Sequence, residues 1–510
     1  MNKTTKAISI VTILLIISKP FGFLREMIVA AYYGATYQTD AYNMAINIMG
    51  FSTAIIAAGV ATVIIPMYNH RRIQNSKSEA DLFINNILWI TSLFYVVLSI
   101  LGIIFAPALV KVFAPSFEGE IVSLTVNIVR MVFIFTVFAN ITNYMKAIAK
   151  IYDKFSITVL ASYPLTILTV IFTVLFSHRI GIYALVISYI IFLIIQASLL
   201  VLSVRKVFSF KAILNFTNGD LKDVVKLSLP IYLSVAIGEV NAIIDKMFAS
   251  GLPEGSISAM NYATKLRALP DGIITASIIT VIYPLLSQYA AKKDFFNLKA
   301  TAVKAISLLS MTLLPVIAVS LYYSSEITKI VYERGAFTSD STLLTANIFT
   351  FAILSLIFAG SSSLLSNTFY SMQDTKTPQI AAVIMVAVNI TLNAILVRYM
   401  QAAGLTLATS IAFFVYFVLL FILFRRKCGA FGGLALAKNV GKCMVATASM
   451  APVFWLCELL RPRLPLFVFF AAAAAASLCV YALLLYLLRV SLFMEALGRA
   501  KAFLKGRFKR

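Results

Sequence analysis

Residues 40–45 read DAYNMA, and residues 258–263 read SAMNYA, 218 positions later. At the same offset TVIIP (62–66) is answered by TVIYP (280–284), so Pro66 matches Pro284, and Lys111 matches Lys329. Further on, YDKFSI (152–157) stands 221 positions before QDTKTP (373–378). One such match is chance in apolar sequence, but several at nearly one offset mark an internal repeat. The chain therefore reads as two related halves.

Each half is a membrane sequence. Of 510 residues, 61% are hydrophobic and 12% charged, against about half and about a quarter in a soluble domain. A bilayer core of about 30 Å needs about 20 apolar residues in a helix. Fourteen stretches meet that length, the first at 6–33 and the last at 465–488. The first continues past Lys19 with no small-residue cleavage site, and reads as a retained helix rather than a signal peptide.

The net charge of +23 tests the count. With the N-terminus in the cytoplasm, 30 of the 43 Lys and Arg fall in inside loops and tails, and seven fall outside. This bias obeys the positive-inside rule and favours an even number of helices, with both termini cytoplasmic. The basic excess is thus topology, with anionic lipid headgroups as its partner, and nucleic acid is excluded. The four cysteines (428, 443, 457, 479) form no CxxC pair, and His70 and His178 lie far apart, so no metal framework emerges.

The expected fold is an all-α polytopic membrane protein of about fourteen transmembrane helices. Two six-helix lobes, 1–210 and 211–427, are related by the repeat. Residues 428–510 add two helices and a basic cytoplasmic tail. Six helices per half gives parallel repeats, a transporter pattern with its pocket between the halves.

Six basic residues remain inside spans: Lys19, Arg25, Arg130, Lys246, Lys265 and Arg267. A charge at a helix centre costs about 2.5–3.5 kcal/mol and usually faces water or a partner. Lys19 precedes Pro20, which breaks the hydrogen-bond ladder, and Gly22 follows. That combination reads as a bent first helix lining a cavity. Glu26 offers Arg25 a local partner, as Asp245 offers one to Lys246. A cationic cavity calls for an anionic substrate.

The stretch SKPFGFLREMIVAAYYGATYQTDAYNMA (18–45) resembles the opening of the MurJ (MviN) family of lipid II flippases. YERGAFTSDST (332–342), FYSMQDTKTP (369–378) and GLTLATS (404–410) resemble three further motifs of that family, and the likeness covers about residues 6–425. The resemblance implies a bacterial inner-membrane transporter of the multidrug/oligosaccharidyl-lipid/polysaccharide exporter superfamily. It also implies a lipid-linked anionic substrate, cell-wall synthesis proteins as partners, and transport by alternating access rather than an enzymatic reaction.

By position it makes Lys19, Arg25, Glu26, Asp40, Lys265 and Arg267 the substrate-binding residues. Lys19 and Lys265 stand where arginine is usual, Thr264 replaces an acidic residue, and Thr53 occupies the place of a further arginine. Lysine keeps the charge but loses the bidentate fork that suits a pyrophosphate. These departures keep open a different polyprenyl-pyrophosphate-linked oligosaccharide as substrate. A cation-coupled drug exporter would instead need an acidic pocket.

The resemblance also offers a sodium site at Asp245, Asn389, Asn393 and Thr409, with aspartate rather than asparagine expected at 393. Asn389 and Asn393 are i, i+4 and share a helix face. Interhelical hydrogen bonding is the competing reading of these side chains. No P-loop motif occurs, and no cofactor is expected. Sodium, protons or the membrane potential, about 2.3 kcal/mol per charge per 100 mV, would supply the energy.

Overall fold

The computed structural model describes residues 3–217, 219–430, 432–459, 461 and 464–507; the side chains from residue 500 onward, and with them most of the basic tail, lie outside that description. Among the described residues the chain is helical and has no strand.

The first copy of the repeat runs α1 (Lys3–Tyr33), α2 (Tyr37–Gly59), a π-helical turn (Val60–Ile64), α3 (Ile65–Gln74), α4 (Lys77–Ile104), α5 (Ala106–Phe113), α6 (Glu120–Phe133), α7 (Thr136–Ile151), α8 (Phe155–Leu160), α9 (Tyr163–Ile180) and α10 (Tyr183–Val204). The second runs α11 (Gly219–Ala249), α12 (Ser256–Pro270), a π-helical turn (Asp271–Thr275), α13 (Ala276–Ala291), α14 (Phe295–Tyr322), α15 (Ser324–Tyr332), α16 (Ser339–Ser371) and α17 (Lys376–Cys428). After them come α18 (Gly433–Ala448), α19 (Met450–Glu458), α20 (Leu466–Leu487) and α21 (Ser491–Arg507).

The repeat is visible element by element. α1 and α11 have 31 residues each, and α4 and α14 have 28 each. The N-caps of that second pair, Ser76 and Asp294, are themselves repeat mates. Each accepts a hydrogen bond from the backbone N–H three residues on, Glu79 and Asn297. Such a cap satisfies one of the orphan donors that open a helix.

By length and composition, nine helices among the described residues suffice to cross a membrane, or eleven if each of two bent pairs is one span. The 53-residue α17 counts once among them. At 1.5 Å per residue it would be about 80 Å long, and non-helical backbone at Gln401 breaks it.

The chain forms two compact units, Met1–Ser258 with Arg334–Ser341, and Ala259–Glu333 with Thr342–Arg510. In the first, Val60, Ile64, Tyr68, Phe83, Tyr144 and Leu200 build a core from α2–α4, α7 and α10. On α4, Leu93, Phe94, Val97, Ile100 and Ile104 are apolar and exposed, as a lipid-facing surface requires. In the second, the buried Tyr323 ring meets Phe454 at 5.3 Å and Phe469 at 5.8 Å. Tyr481 Oη donates to the Met311 carbonyl at 2.7 Å, and Arg461 pairs with Glu326 at 2.7 Å. These contacts fasten α18–α20 onto α14 and α15.

Candidate functional site

Pro20 lies inside α1, and Lys19 beside it is exposed. Two turns further on Arg25 donates to Glu26, and both side chains are mostly buried, at 20% and 16% exposure. Tyr42 of α2 and Tyr189 of α10 lie within electrostatic reach of the Arg25 guanidinium. Among the described side chains, α1 therefore carries an exposed cation, Lys19, and a buried, paired one, Arg25. An isolated buried guanidinium is costly, so the adjacent carboxylate is what allows Arg25 to sit there.

Asp40 is differently placed. It is buried, and both carboxylate oxygens are engaged at the start of α12. Oδ1 accepts the backbone N–H of Ser258 at 2.7 Å and its hydroxyl at 2.6 Å, while Oδ2 accepts the Gly255 N–H at 2.8 Å. Asp40 and Ser258 are repeat mates, the first residues of DAYNMA and SAMNYA.

Around them the backbone closes tightly. A Cβ on Gly255 (φ +83°) would lie 2.3 Å from the Ala35 carbonyl oxygen, and one on Gly335 (φ +60°) 2.2 Å from that of Ala31. Only glycine meets both the left-handed backbone and the clearance. Ala336 N–H donates to the Ala31 carbonyl at 2.7 Å, and Tyr37 N–H donates to Glu254 at 2.9 Å. Asp40 is thus a cap and a latch within this unit. A neighbouring cavity of about 370 Å³ is lined by Tyr37, Asp40, Glu118, Glu120 and Glu254 among others, a lining that repels anions.

Thr53 returns its hydroxyl to the carbonyls of Met49 and Gly50 at 3.2 and 3.1 Å. It offers only helix back-bonding where the resemblance expects a cation.

In the second unit, Lys265 is exposed on α12. Arg267 lies 6.0 Å from the centre of the Phe413 ring, a cation–π distance. Its Nε has no hydrogen-bond partner among the described residues.

Asn389 and Asn393 of α17 are fully buried. Asn393 Nδ2 donates to Asn389 Oδ1 at 3.0 Å, and Asn389 Nδ2 donates to Thr409 Oγ1 at 3.1 Å. This chain joins the segments on either side of Gln401, as interhelical hydrogen bonding requires. The same oxygens are hard donors of the kind sodium takes. Asp245, on α11, belongs to the first unit. No group of three or more His, Cys, Asp or Glu among the described residues could hold a metal ion.

Sequence reasoning missed Tyr42 and Tyr189 beside Arg25, because nothing in the spacing links α1 to α10. It also missed the Asp40–Ser258 contact, although the two residues occupy matched positions of the repeat.

A helical repeat of apolar spans, broken helices and cations on the first helix define an integral membrane transporter. The chain belongs to the MurJ family: the family described as "Lipid II flippase MurJ" matches residues 29–474. A probable lipid II flippase MurJ of Rickettsia prowazekii (strain Madrid E) is 29% identical over 408 residues, 79% of this chain and 80% of that protein. One from Thermotoga maritima is 26% identical over 452 residues, 86% and 88% of the two chains. Among solved structures, a lipid II flippase MurJ in an inward closed conformation superposes with a TM-score of 0.81 at 25% identity, covering 93% of this chain and 97% of that one. An inward-facing multidrug resistance MATE family transporter of the MOP superfamily shares the fold, with a TM-score of 0.69 at 15% identity over 82% and 95% of the chains.

Proposed function

We propose that this protein moves lipid II from the cytoplasmic to the outer leaflet by alternating access. Family membership supports the substrate. Lys19 and Arg25 on α1 carry the reading, because a pyrophosphate needs cations within reach of a water-filled cavity. Lys19 makes first contact with the head group. Arg25 supplies the bidentate fork, with Glu26 holding its charge until the substrate arrives. Lys265 and Arg267 are the substrate-binding cations of the second unit, and Asp40 orders the start of α12 rather than touching the substrate.

On this reading α1, α11 and both halves of α17 also cross the membrane, giving six spans in each of two repeat-related lobes, 1–210 and 211–427, and two more in 428–510, fourteen in all. Both termini lie in the cytoplasm of a bacterial cell with the protein in its inner membrane. The chain makes and breaks no covalent bond. The membrane potential or a coupled cation drives it, with Asn389, Asn393, Thr409 and Asp245 the residues to test for sodium. Cell-wall synthesis proteins are the expected partners.

A second reading rests on Thr53. Without a cation there, the head-group site is less positive than the family pattern, which favours a different polyprenyl-pyrophosphate-linked oligosaccharide.

The test is complementation in a bacterium depleted of its essential lipid II flippase, with wild type beside Lys19→Ala. Rescue by wild type alone is the expected result. Failure of wild type that is present in the membrane overturns lipid II as substrate and moves the second reading to the front.

A further inference from the structure

Between α10 and α11 the chain runs irregularly over residues 209–217, and α4 holds its backbone. Ser209 N–H donates to Asp81 Oδ2 at 3.3 Å, and Asn85 Nδ2 donates to the Ser209 carbonyl at 2.7 Å. Lys211 N–H donates to Asn85 Oδ1 at 3.1 Å, and its carbonyl accepts Trp89 Nε1–H at 3.1 Å. Asn86 brackets Asn215, accepting its N–H at 2.7 Å and donating to its carbonyl at 3.0 Å. Asp81, Asn85 and Asn86 are each no more than 3% exposed. Three buried polar side chains near the start of α4 thus hold a neighbouring strap, Asp81 through Oδ2 while its Oδ1 accepts from Tyr68.

From Asp81 to Trp89 is about 12 Å along a helix, starting at the polar end of α4 and reaching its apolar lipid-facing stripe. Irregular backbone at that depth needs protein groups for its N–H and C=O, and α4 supplies them at Ser209, Lys211 and Asn215. The strap's own side chains point outward. Phe210, Leu214 and Phe216 are 42%, 55% and 58% exposed, and Trp89 beside them is 45% exposed. Lys206 and Lys211 flank them, also exposed. Aromatic rings beside lysines match a bilayer interface, where rings sit at headgroup level and ammonium groups meet anionic lipid. Water would leave the rings unburied, and a hydrocarbon face would not carry the lysines.

We propose that residues 205–217 form an interfacial anchor, with Phe210, Leu214, Phe216 and Trp89 seated beneath the headgroups of an anionic phospholipid leaflet and Lys206 and Lys211 on its phosphates. The leaflet's identity rests on the orientation proposed above, whereas the depth does not. Complementation reads the transport proposal; quenching of fluorescence reads this one.

The experiment uses the full chain in phosphatidylcholine/phosphatidylglycerol vesicles. Phe216→Trp is the only tryptophan in a Trp89→Phe, Trp455→Phe background. Bromines near the lipid carbonyl should quench it about twofold more than bromines near the methyl end, as for an interfacial ring, and aqueous iodide should quench it little. Wild-type Trp89, read alone in Trp455→Phe, should behave alike and guards against a loosened strap. Asn86→Ala should admit iodide to the strap probe. Replacing phosphatidylglycerol by neutral lipid should red-shift the probe, and Lys206→Ala with Lys211→Ala should abolish that dependence. Strong iodide quenching without bromine quenching in both probes overturns the anchor. A strap probe indifferent to phosphatidylglycerol overturns the anionic partner.

Discussion

Gln401 holds φ 51° and ψ −132°, the backbone of Gly181, at φ 55° and ψ −137°, in the other copy of the repeat. The same turn is made by a glycine in one half and by a glutamine in the other. The left-handed region costs a residue with a Cβ, typically 1–3 kcal/mol at its sparsest parts. Gln401→Gly is therefore expected to raise the melting temperature, with a gain of about 1 kcal/mol after the entropic penalty of glycine. A β-branched Gln401→Val should lower it. Thermal unfolding in detergent reads both.

Asp40→Ala strips partners from the N–H groups of Gly255 and Ser258 and from the Ser258 hydroxyl. Each buried donor left unsatisfied costs about 1–3 kcal/mol, so a loss of at least about 2 kcal/mol is expected. Asp40→Asn keeps an acceptor and should lose less. In a double-mutant cycle with Ser258→Ala the two losses should be non-additive, because the residues touch. Additive losses would contradict the latch.

Arg25→Ala should abolish complementation while the protein stays in the membrane, and Arg25→Lys should restore it only in part, since lysine has no fork. Lys19→Arg should retain function. Glu26→Gln leaves Arg25 without its ion pair and is expected to lower transport about tenfold, which corresponds to about 1.4 kcal/mol. Reconstituted flipping of a fluorescent substrate separates these arms, and normal transport by both Lys19→Ala and Arg25→Ala would sink the site assignment.

Asp374 supplies a pH dependence. It lies between α16 and α17, where burial pushes its carboxyl up. Hydrogen bonds from Lys427, the Thr377 N–H and the Thr377 hydroxyl outweigh burial and hold it at about 2. The folded value lies below the unfolded one of about 3.9. Its stabilisation is therefore complete above that value and is lost as pH falls through about 2. Asp374→Asn should melt lower than wild type at neutral pH, by of order 1 kcal/mol for a pair with one exposed partner. The gap should close on acidification toward pH 2.

Much of this fold is legible in residue order because lipid imposes a long apolar run on each crossing and a charge bias on each loop. The repeat offset read from DAYNMA and SAMNYA is the offset of the helix caps Ser76 and Asp294. The breaks inside spans are less legible. Pro107, Pro66 and Pro270 stand beside the breaks at Phe105, Val60–Ile64 and Asp271–Thr275, but a proline marks a disturbed ladder and not the register it takes, and Phe135 has no such neighbour. Lys19 and Arg25 stand out because a charge in an apolar run has few explanations. Asp40 was named from the family resemblance as a substrate-binding residue, and residue order does not reveal the Ser258 and Gly255 donors that occupy its carboxylate. The strap over α4 had a signal: Asp81, Asn85 and Asn86 fall on neighbouring helix positions in an apolar span. Its meaning needed the partner, more than 120 positions away.

The contact between Asp40 and Ser258 joins equivalent places in the two copies. In a pair of identical chains, an isologous contact of this kind would set a residue against itself. Two aspartates there would repel, and two serines would bond weakly. In one polypeptide the two sides can differ. One is a carboxylate and the other its hydroxyl-bearing partner, a division of labour closed to any symmetric dimer.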